Sequence, residues 1–299
     1  MLSHSNFYHM QKLLITGASG FLGWHICQAQ TKYEVYGTYF TKAIEIPGVK
    51  LAKVNLSDFQ ELKQLFNSIQ PAAVIHTAAL SQPNFCQNNP ELSHAINVTA
   101  SCNIAELCAE SSIRYAFTST DLVFDGKNAP YQEIDTVNPV NRYGEQKVLA
   151  EQGILSRYPS SAVCRMPLMF GNPTPTATSF MQGFMQTLKD GKDLNLFTDE
   201  FRTPASAKTA AKGLLLALEK VNGIIHLGGK ERISRYDFGR LMAEVFQLPT
   251  TGLKSCRQQD VKMSAPRPAD VSLNSSKAFA LLYDPLSIKE ELQAMLIDR

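Results

Sequence analysis

Short apolar runs alternate with longer, more polar stretches through the first half of the chain. Lys12-Leu-Leu-Ile-Thr16, Tyr33–Tyr39, Lys50–Val54, Ala72–His76, Arg114–Ser119 and Ala162–Arg165 are of strand length. The segments after Gly20 through Gln30 and over Asp58–Ile69, Glu91–Glu110 and Asn141–Arg157 are long enough for helices. Strand alternating with helix predicts a parallel sheet covered on both faces, so the expected class is α/β with a Rossmann-type doubly wound parallel sheet.

The rhythm breaks near Phe170. A Pro/Thr-rich stretch, Gly171–Thr178, leads into helical runs at Ser179–Lys189, Ala207–Val221 and Ser234–Phe246, with short strands at Leu194–Phe197 and Gly223–Leu227. This divides the chain into a Rossmann-type domain over residues 1–169, with a leader at 1–10, and a smaller, mainly ligand-facing lobe over 170–299. No repeat, low-complexity tract or long linker separates them, so the lobe is expected to pack on the first part. The cleft between them is the default ligand site.

Composition narrows the class. With 299 residues, 44% hydrophobic and 19% charged, the chain can bury a large core. Its net charge of +2 comes from interspersed residues, which leaves no basic footprint for nucleic acid or a membrane surface. The first ten residues have neither the charge nor the apolar stretch of a signal peptide, and Met10 is an alternative start. Six cysteines (Cys27, Cys86, Cys102, Cys108, Cys164, Cys256) show no C-x-x-C pair and no ligand spacing, so neither a zinc site nor a disulfide framework is expected. Reduced thiols in the cytoplasm are the simplest reading.

Gly17, Gly20 and Gly23 follow the first strand and open the first helix. Such a turn lets the backbone approach a pyrophosphate, and the helix N-terminus offers it N–H groups; Gly17, Ser19, Gly20, Phe21, Leu22 and Gly23 are the expected cradle. An acidic residue at the end of the second strand accompanies NAD, by bonding the ribose 2′-hydroxyl. Here the strand ends Tyr39-Phe-Thr-Lys42, with a cation and no carboxylate, which favours the 2′-phosphate of NADP. Asn55 and Leu56 after the third strand, and Ala78, Ala79 and Leu80 after the fourth, fall at strand ends where the cofactor lies. His76, with no partner visible in sequence, reads as a buried, hydrogen-bonded histidine rather than a catalyst.

Thr120 closes the fifth apolar run, and Tyr143-Gly-Glu-Gln-Lys147 opens the following helix. Four residues apart on a helix, Tyr143 and Lys147 share a face, where an ammonium can lower the phenol's pKa. Thr120 can hydrogen-bond an oxygen gaining negative charge while Tyr143 delivers a proton, and Lys147 can also hold the nicotinamide ribose. Ser119 could replace Thr120 if the register is off by one. Arg202 and Arg267 are candidates for diphosphate contact.

In order along the chain, Gly17-Ala-Ser-Gly-Phe-Leu-Gly23, Ser119-Thr-Asp-Leu-Val-Phe-Asp-Gly126, Pro130-Tyr-Gln-Glu133, Asn138-Pro-Val-Asn-Arg-Tyr143-Gly-Glu-Gln-Lys147, Arg165, Phe201-Arg-Thr-Pro204 and Arg267-Pro-Ala-Asp-Val-Ser-Leu-Asn-Ser-Ser-Lys277 resemble the extended short-chain dehydrogenase/reductases. Within these the pattern is similar to the dTDP-4-dehydrorhamnose reductase family. The resemblance implies an NADPH-dependent reductase of a nucleotide-linked 4-keto-6-deoxy sugar, with Thr120, Tyr143 and Lys147 catalytic and Asp121 beside the sugar. Related enzymes often pair as homodimers. Leu122 stands where that pattern has tyrosine, and Leu168 where an aromatic is expected after Arg165. The same scaffold resembles the regulatory subunit of methionine adenosyltransferase, a dinucleotide-binding partner protein, and an NAD-retaining nucleotide-sugar epimerase is a third reading.

Overall fold

The computed structural model describes residues 10–29 and 31–297, so the leader expected over 1–10, apart from Met10, lies outside the described residues. Six strands stand where the apolar runs predict them: β1 (Lys12–Thr16), β2 (Glu34–Tyr39), β3 (Val49–Lys53), β4 (Ala73–His76), β5 (Arg114–Thr120) and β6 (Ala162–Met166). Helices α1 (Phe21–Gln28), α2 (Phe59–Ile69), α3 (Pro83–Asn88), α4 (Pro90–His94), α5 (Ala100–Glu110) and α6 (Arg142–Arg157) connect them. The second half adds β7 (Met169–Phe170), α7 (Phe180–Lys189), β8 (Leu194–Phe197), β9 (Phe201–Arg202), β10 (Ala205–Ser206) and α8 (Ala207–Lys220). It ends with β11 (Gly223–His226), β12 (Ile233–Ser234), α9 (Arg235–Val245), β13 (Leu253–Cys256), α10 (Ser276–Ala280) and α11 (Ile288–Ile297).

Local chemistry sets the helix limits. Asp58 caps α2 by accepting from the N–H groups of Gln60 and Glu61 at 2.8 and 3.1 Å, and Gln70, at φ 52°, ends it. Ser179 and Gln182 form a capping box on α7, and Asn141 caps α6 by accepting from Gly144 N–H at 3.0 Å.

Seven strands form one parallel sheet in the order β11-β6-β5-β4-β1-β2-β3. Every residue of β4 is buried, because helices cover both faces. Leu13, Ile15, Ile26, Ala116 and Leu214 pack on one face, and Leu14, Val74, Leu62, Ile104 and Ile154 on the other. Each of these leucine, isoleucine and valine side chains contributes about 1.5–3 kcal/mol of transfer free energy. Strand order reverses between β1 and β4, which opens a crevice at their carboxyl ends.

The structure departs from the sequence reading in two places. Gly223–Leu227 was expected as a strand of the second lobe, yet β11 pairs in parallel with β6, from Gly223 beside Ala162 to His226 beside Arg165. Helix α8 crosses over to reach it and packs Ala210, Leu214 and Leu218 against the α1 side of the core. Residues 207–226 therefore extend the sheet layer. The rest of the second half has its own core around Phe170, Met181, Met185, Phe238, Met242 and Leu292. The second departure is in Glu91–Glu110, expected as a single helix: it is α4, one π-helical turn at Ala95–Thr99 and then α5.

Candidate active site

The first element of the site is the turn after β1. Gly17 has φ +72°, and a Cβ there would lie 2.8 Å from the Ala78 Cα, so only glycine lets the β1 and β4 turns touch across the crevice. The turn is held by Gly17 N–H donating to Thr38 Oγ1 at 3.1 Å and Ala18 N–H donating to the Thr38 carbonyl at 2.8 Å. Gly20 caps α1 without any side-chain hydrogen bond, and no acidic residue occupies the first turn. A helix N-terminus of this kind, free of side-chain caps and of negative charge, suits a pyrophosphate. The residues present therefore fit a dinucleotide.

Around this turn the other expected cofactor residues gather at the carboxyl edge of the sheet. Tyr39 is half-buried at the end of β2, Lys42 is exposed just beyond it, and Asn55 and Leu56 follow β3. Ala78, Ala79 and Leu80 are half-buried after β4. His76 faces inward: its Nδ1 meets Thr16 Oγ1 at 2.5 Å and its Nε2 meets Ser101 Oγ at 3.0 Å. Burial pushes its pKa down to about 3, as befits a neutral, hydrogen-bonded core histidine.

Thr120 ends β5, and Tyr143 and Lys147 lie in the first turns of α6. Gly144 is what brings the two elements together. A Cβ at Gly144 would sit 2.2 Å from the Leu122 carbonyl oxygen and 2.8 Å from the Pro139 side chain. All three chemical groups are buried, with Thr120 and Tyr143 each 7% exposed and Lys147 1%. The Thr120 hydroxyl donates to Asp121 Oδ1 at 3.2 Å and accepts from Leu122 N–H at 3.2 Å. Lys147 Nζ donates to the Thr118 carbonyl at 2.8 Å and lies 5.9 Å from the centre of the Tyr143 ring. Ser119 does not stand in for Thr120; its hydroxyl turns the other way and donates to Glu151.

Burial outweighs the tuning anticipated from the Tyr143 and Lys147 spacing. Desolvation raises the phenol pKa, the Asp121 carboxylate raises it further, and a hydrogen bond with the Thr120 side chain pulls the other way. The lysine is itself depressed, to about 7, mainly by burial, with Glu151 opposing. At nearly 6 Å from the ring, the ammonium does not offset the loss of solvent around the phenol. The phenol thus remains protonated, the state a proton donor needs.

The family model described as RmlD substrate binding domain matches residues 10–299. A solved structure of a hypothetical dTDP-4-dehydrorhamnose reductase from Sulfolobus tokodaii superposes with a TM-score of 0.83 at 33% identity, covering 93% of this chain and 98% of that one. The chain belongs to the dTDP-4-dehydrorhamnose reductase family, within the extended short-chain dehydrogenase/reductases. A Bacillus anthracis dTDP-4-dehydrorhamnose reductase in complex with NADP shares the fold at TM-score 0.87 and 18% identity, over 97% of this chain and 100% of that one. Two curated relatives are each 29% identical. Methionine adenosyltransferase 2 subunit beta of Bos taurus matches over 97% of this chain and 89% of its own length, and a probable low-salt glycan biosynthesis reductase of Haloferax volcanii over 88% and 89%.

Several of the motif residues that carried the family resemblance meet beside Thr120. Asp121, 4% exposed, faces Arg202 with Nε to Oδ2 at 3.5 Å, and burial pushes its carboxyl up to about 6 against the pull of that guanidinium. Arg202 also pairs with Glu200 at 3.3 Å, and Arg235 lies 3.9 Å from the same carboxylate. Arg202 is therefore buried between two carboxylates rather than presented as a free surface cation. Arg267 is half-buried, donating to the Ala265 carbonyl at 2.8 Å and to Asn84 Oδ1 at 3.1 Å. Leu122 and Leu168, the departures from the family pattern, are both half-buried.

Two supports of this family site were not anticipated from sequence. Asn97, fully buried in the π-helical turn, accepts from Leu80 N–H at 2.9 Å, donates to the Leu80 carbonyl at 3.0 Å and donates to Gln146 Oε1 at 2.9 Å. It ties the loop after β4 to the helix that carries Tyr143 and Lys147. The second is a buried ion pair: Arg165 Nη2 meets Glu151 Oε2 at 2.8 Å, while Ser119 donates to the same carboxylate. Arg165 was in the matched motif series, but nothing in its position announces a partner on α6. The π-helical turn is the one local irregularity that marks Asn97.

Proposed function

We propose that this chain is an NADPH-dependent reductase that converts the keto group of a nucleotide-linked 4-keto-6-deoxy sugar to an alcohol. The supporting observation is the burial of Thr120 and Tyr143 beside Asp121, on two elements that Gly144 brings together at the strand ends that also carry the glycine turn. When bound, the dinucleotide supplies hydride to the carbonyl carbon. Tyr143 gives the phenolic proton to the carbonyl oxygen, and Thr120 donates a hydrogen bond to that oxygen as its charge grows. Lys147, anchored on the Thr118 carbonyl, has two further N–H donors for ribose hydroxyls. Asp121, held by Arg202, is a hydrogen-bond acceptor for a sugar hydroxyl. Arg267 is the cation for the substrate diphosphate.

Lys42 and the absence of a carboxylate at the end of β2 support NADP over NAD. Six free cysteines, five of them buried, suit a reducing cytoplasm. Among the described residues no helix is long and apolar enough to cross a membrane.

A second reading, a dinucleotide-binding regulatory subunit, draws on the 29% identity to methionine adenosyltransferase 2 subunit beta. A screen of cofactor oxidation across nucleotide-linked keto-sugars separates the two. Stoichiometric NADPH consumption with one of them supports the reductase. Tight NADPH binding with no consumption across the panel, together with a co-purifying partner protein, refutes it in favour of the regulatory reading. Tightly retained NAD after purification points instead to an epimerase.

A further inference from the structure

The Pro/Thr-rich stretch between β7 and α7 does not hang free; it crosses the glycine turn as a strap. Thr176 Oγ1 donates to the Ser19 carbonyl at 2.6 Å, and Lys42 Nζ donates to the Thr176 carbonyl at 2.9 Å. One residue of the strap thus touches the pyrophosphate turn through its side chain and the lysine beyond β2 through its backbone. The strap is itself braced. Thr174 N–H donates to the Ala177 carbonyl at 2.8 Å, Ala177 N–H donates back to Thr174 Oγ1 at 2.8 Å, and Gln182 Nε2 holds the Gly171 carbonyl at 2.8 Å.

Lys42 is otherwise an exposed side chain with four rotatable bonds, and holding it in one place costs rotamer entropy. Its bond to Thr176 meets that cost within the protein. It uses one of three ammonium donors and leaves two for an anion, and among the described residues Lys42 makes no ion pair that would compete. The segment before it, Tyr39-Phe-Thr, carries no negative charge.

We propose that Thr176 is a positioning residue for cofactor choice: by bridging Ser19 and Lys42 it presents the ammonium to the 2′-phosphate of NADP. The strap of the second half of the chain, and not the end of β2 alone, sets the preference for the phosphorylated dinucleotide. This rests on the reading of the chain as an NADP-binding reductase and adds to it the residue that fixes the discriminating cation.

The test is calorimetric titration of NADPH and NADH into the full-length protein and into Thr176→Val, Thr176→Ser, Lys42→Ala and the Thr176→Val/Lys42→Ala double variant. Thr176→Val is expected to weaken NADPH about tenfold and NADH less than about twofold, the size of one charge-assisted contact. Thr176→Ser, which keeps the hydroxyl, should hold the wild-type preference. The double variant should be no weaker toward NADPH than Lys42→Ala, because Thr176 acts through Lys42. Equal loss of both cofactors in Thr176→Val, or additive losses in the double variant, would overturn the proposal by making the strap a general support of the pyrophosphate turn. Wild-type protein that binds NADH more tightly than NADPH, or neither, overturns the underlying reading as well and is recognised before any variant is made.

Discussion

The Lys147 ammonium donates to the Thr118 carbonyl at 2.8 Å while sitting 4.5 Å from the centre of the Phe117 ring, almost wholly out of water. Its pKa is lowered from 10.5 to about 7 because burial disfavours the charged form. Between these values the unfolded chain binds a proton that the folded one does not, so stability rises with pH across this window. The penalty is full below about pH 7. Lys147→Met, which keeps the length and removes the charge, is therefore expected to raise the melting temperature most near pH 6, with the gain fading toward pH 10. Equal gains at both ends of that range would show that the ammonium does not titrate in this way. Turnover should fall and cofactor affinity weaken in the same variant.

Tyr143→Phe keeps the ring that fills the site and deletes only the phenol hydroxyl, the proton donor of the proposed reaction. Turnover with the keto-sugar substrate is expected to fall by roughly 10²–10⁴, with NADPH affinity within about twofold of wild type. Since burial and Asp121 both raise the phenol pKa, ionisation of Tyr143 should not erode the reduction rate at neutral or mildly alkaline pH. Steady-state kinetics and a binding titration check both statements. Wild-type-like turnover in the variant removes Tyr143 from the chemistry.

Gly144 is confined by the Leu122 carbonyl, which a Cβ would approach to 2.2 Å. Gly144→Ala must push α6 away from the turn after Thr120. We expect a stability loss of about 1–3 kcal/mol, in the range of overpacked sites. Turnover should drop by more than the folded fraction does, since the Thr120 to Tyr143 spacing opens. Urea unfolding and kcat on the same preparation separate the two effects.

Arg165 and Glu151 form a pair with side chains 3% and 5% exposed. Arg165→Met leaves the Glu151 carboxylate buried without its cation, at a cost of about 3–5 kcal/mol. The double variant Arg165→Met/Glu151→Leu should recover most of that loss, because a buried pair replaced by apolar groups is often near neutral. Denaturant midpoints of the single and double variants decide it. A double variant as unstable as the single one would show that the unpaired Glu151 carboxylate is not the source of the loss.

Much of the fold is legible in sequence for a local reason. Strand-length apolar runs and capped amphipathic stretches report the burial of each element, so all seven strands of the main sheet are recoverable by pattern, six of them in the right place. β11 fails because a short apolar run does not say which strand it will lie beside; only the crossover of α8 over α1 brings Gly223 to Ala162. The site divides in the same way. Glycine positions and the four-residue spacing of Tyr143 and Lys147 are local facts. The sign of the phenol's shift is not, since it depends on how much protein surrounds the ring and on Asp121, twenty-two residues upstream.

From its sequence alone this chain is determined as an NAD(P)-dependent α/β oxidoreductase of its family, because strand periodicity, the Gly17-x-x-Gly20-x-x-Gly23 turn and the four-residue spacing of Tyr143 and Lys147 each act through near neighbours in the chain. Tertiary structure alone decided that Asn97 ties Leu80 to Gln146, that Arg202 is locked between Asp121 and Glu200, and that Thr176 bridges Ser19 to Lys42. Apart from the Arg202 and Glu200 pair, these are contacts between residues 17 to 157 positions apart. Side-chain reach, desolvation and hydrogen-bond direction arise only once the sheet and its helices have brought such distant groups to one edge.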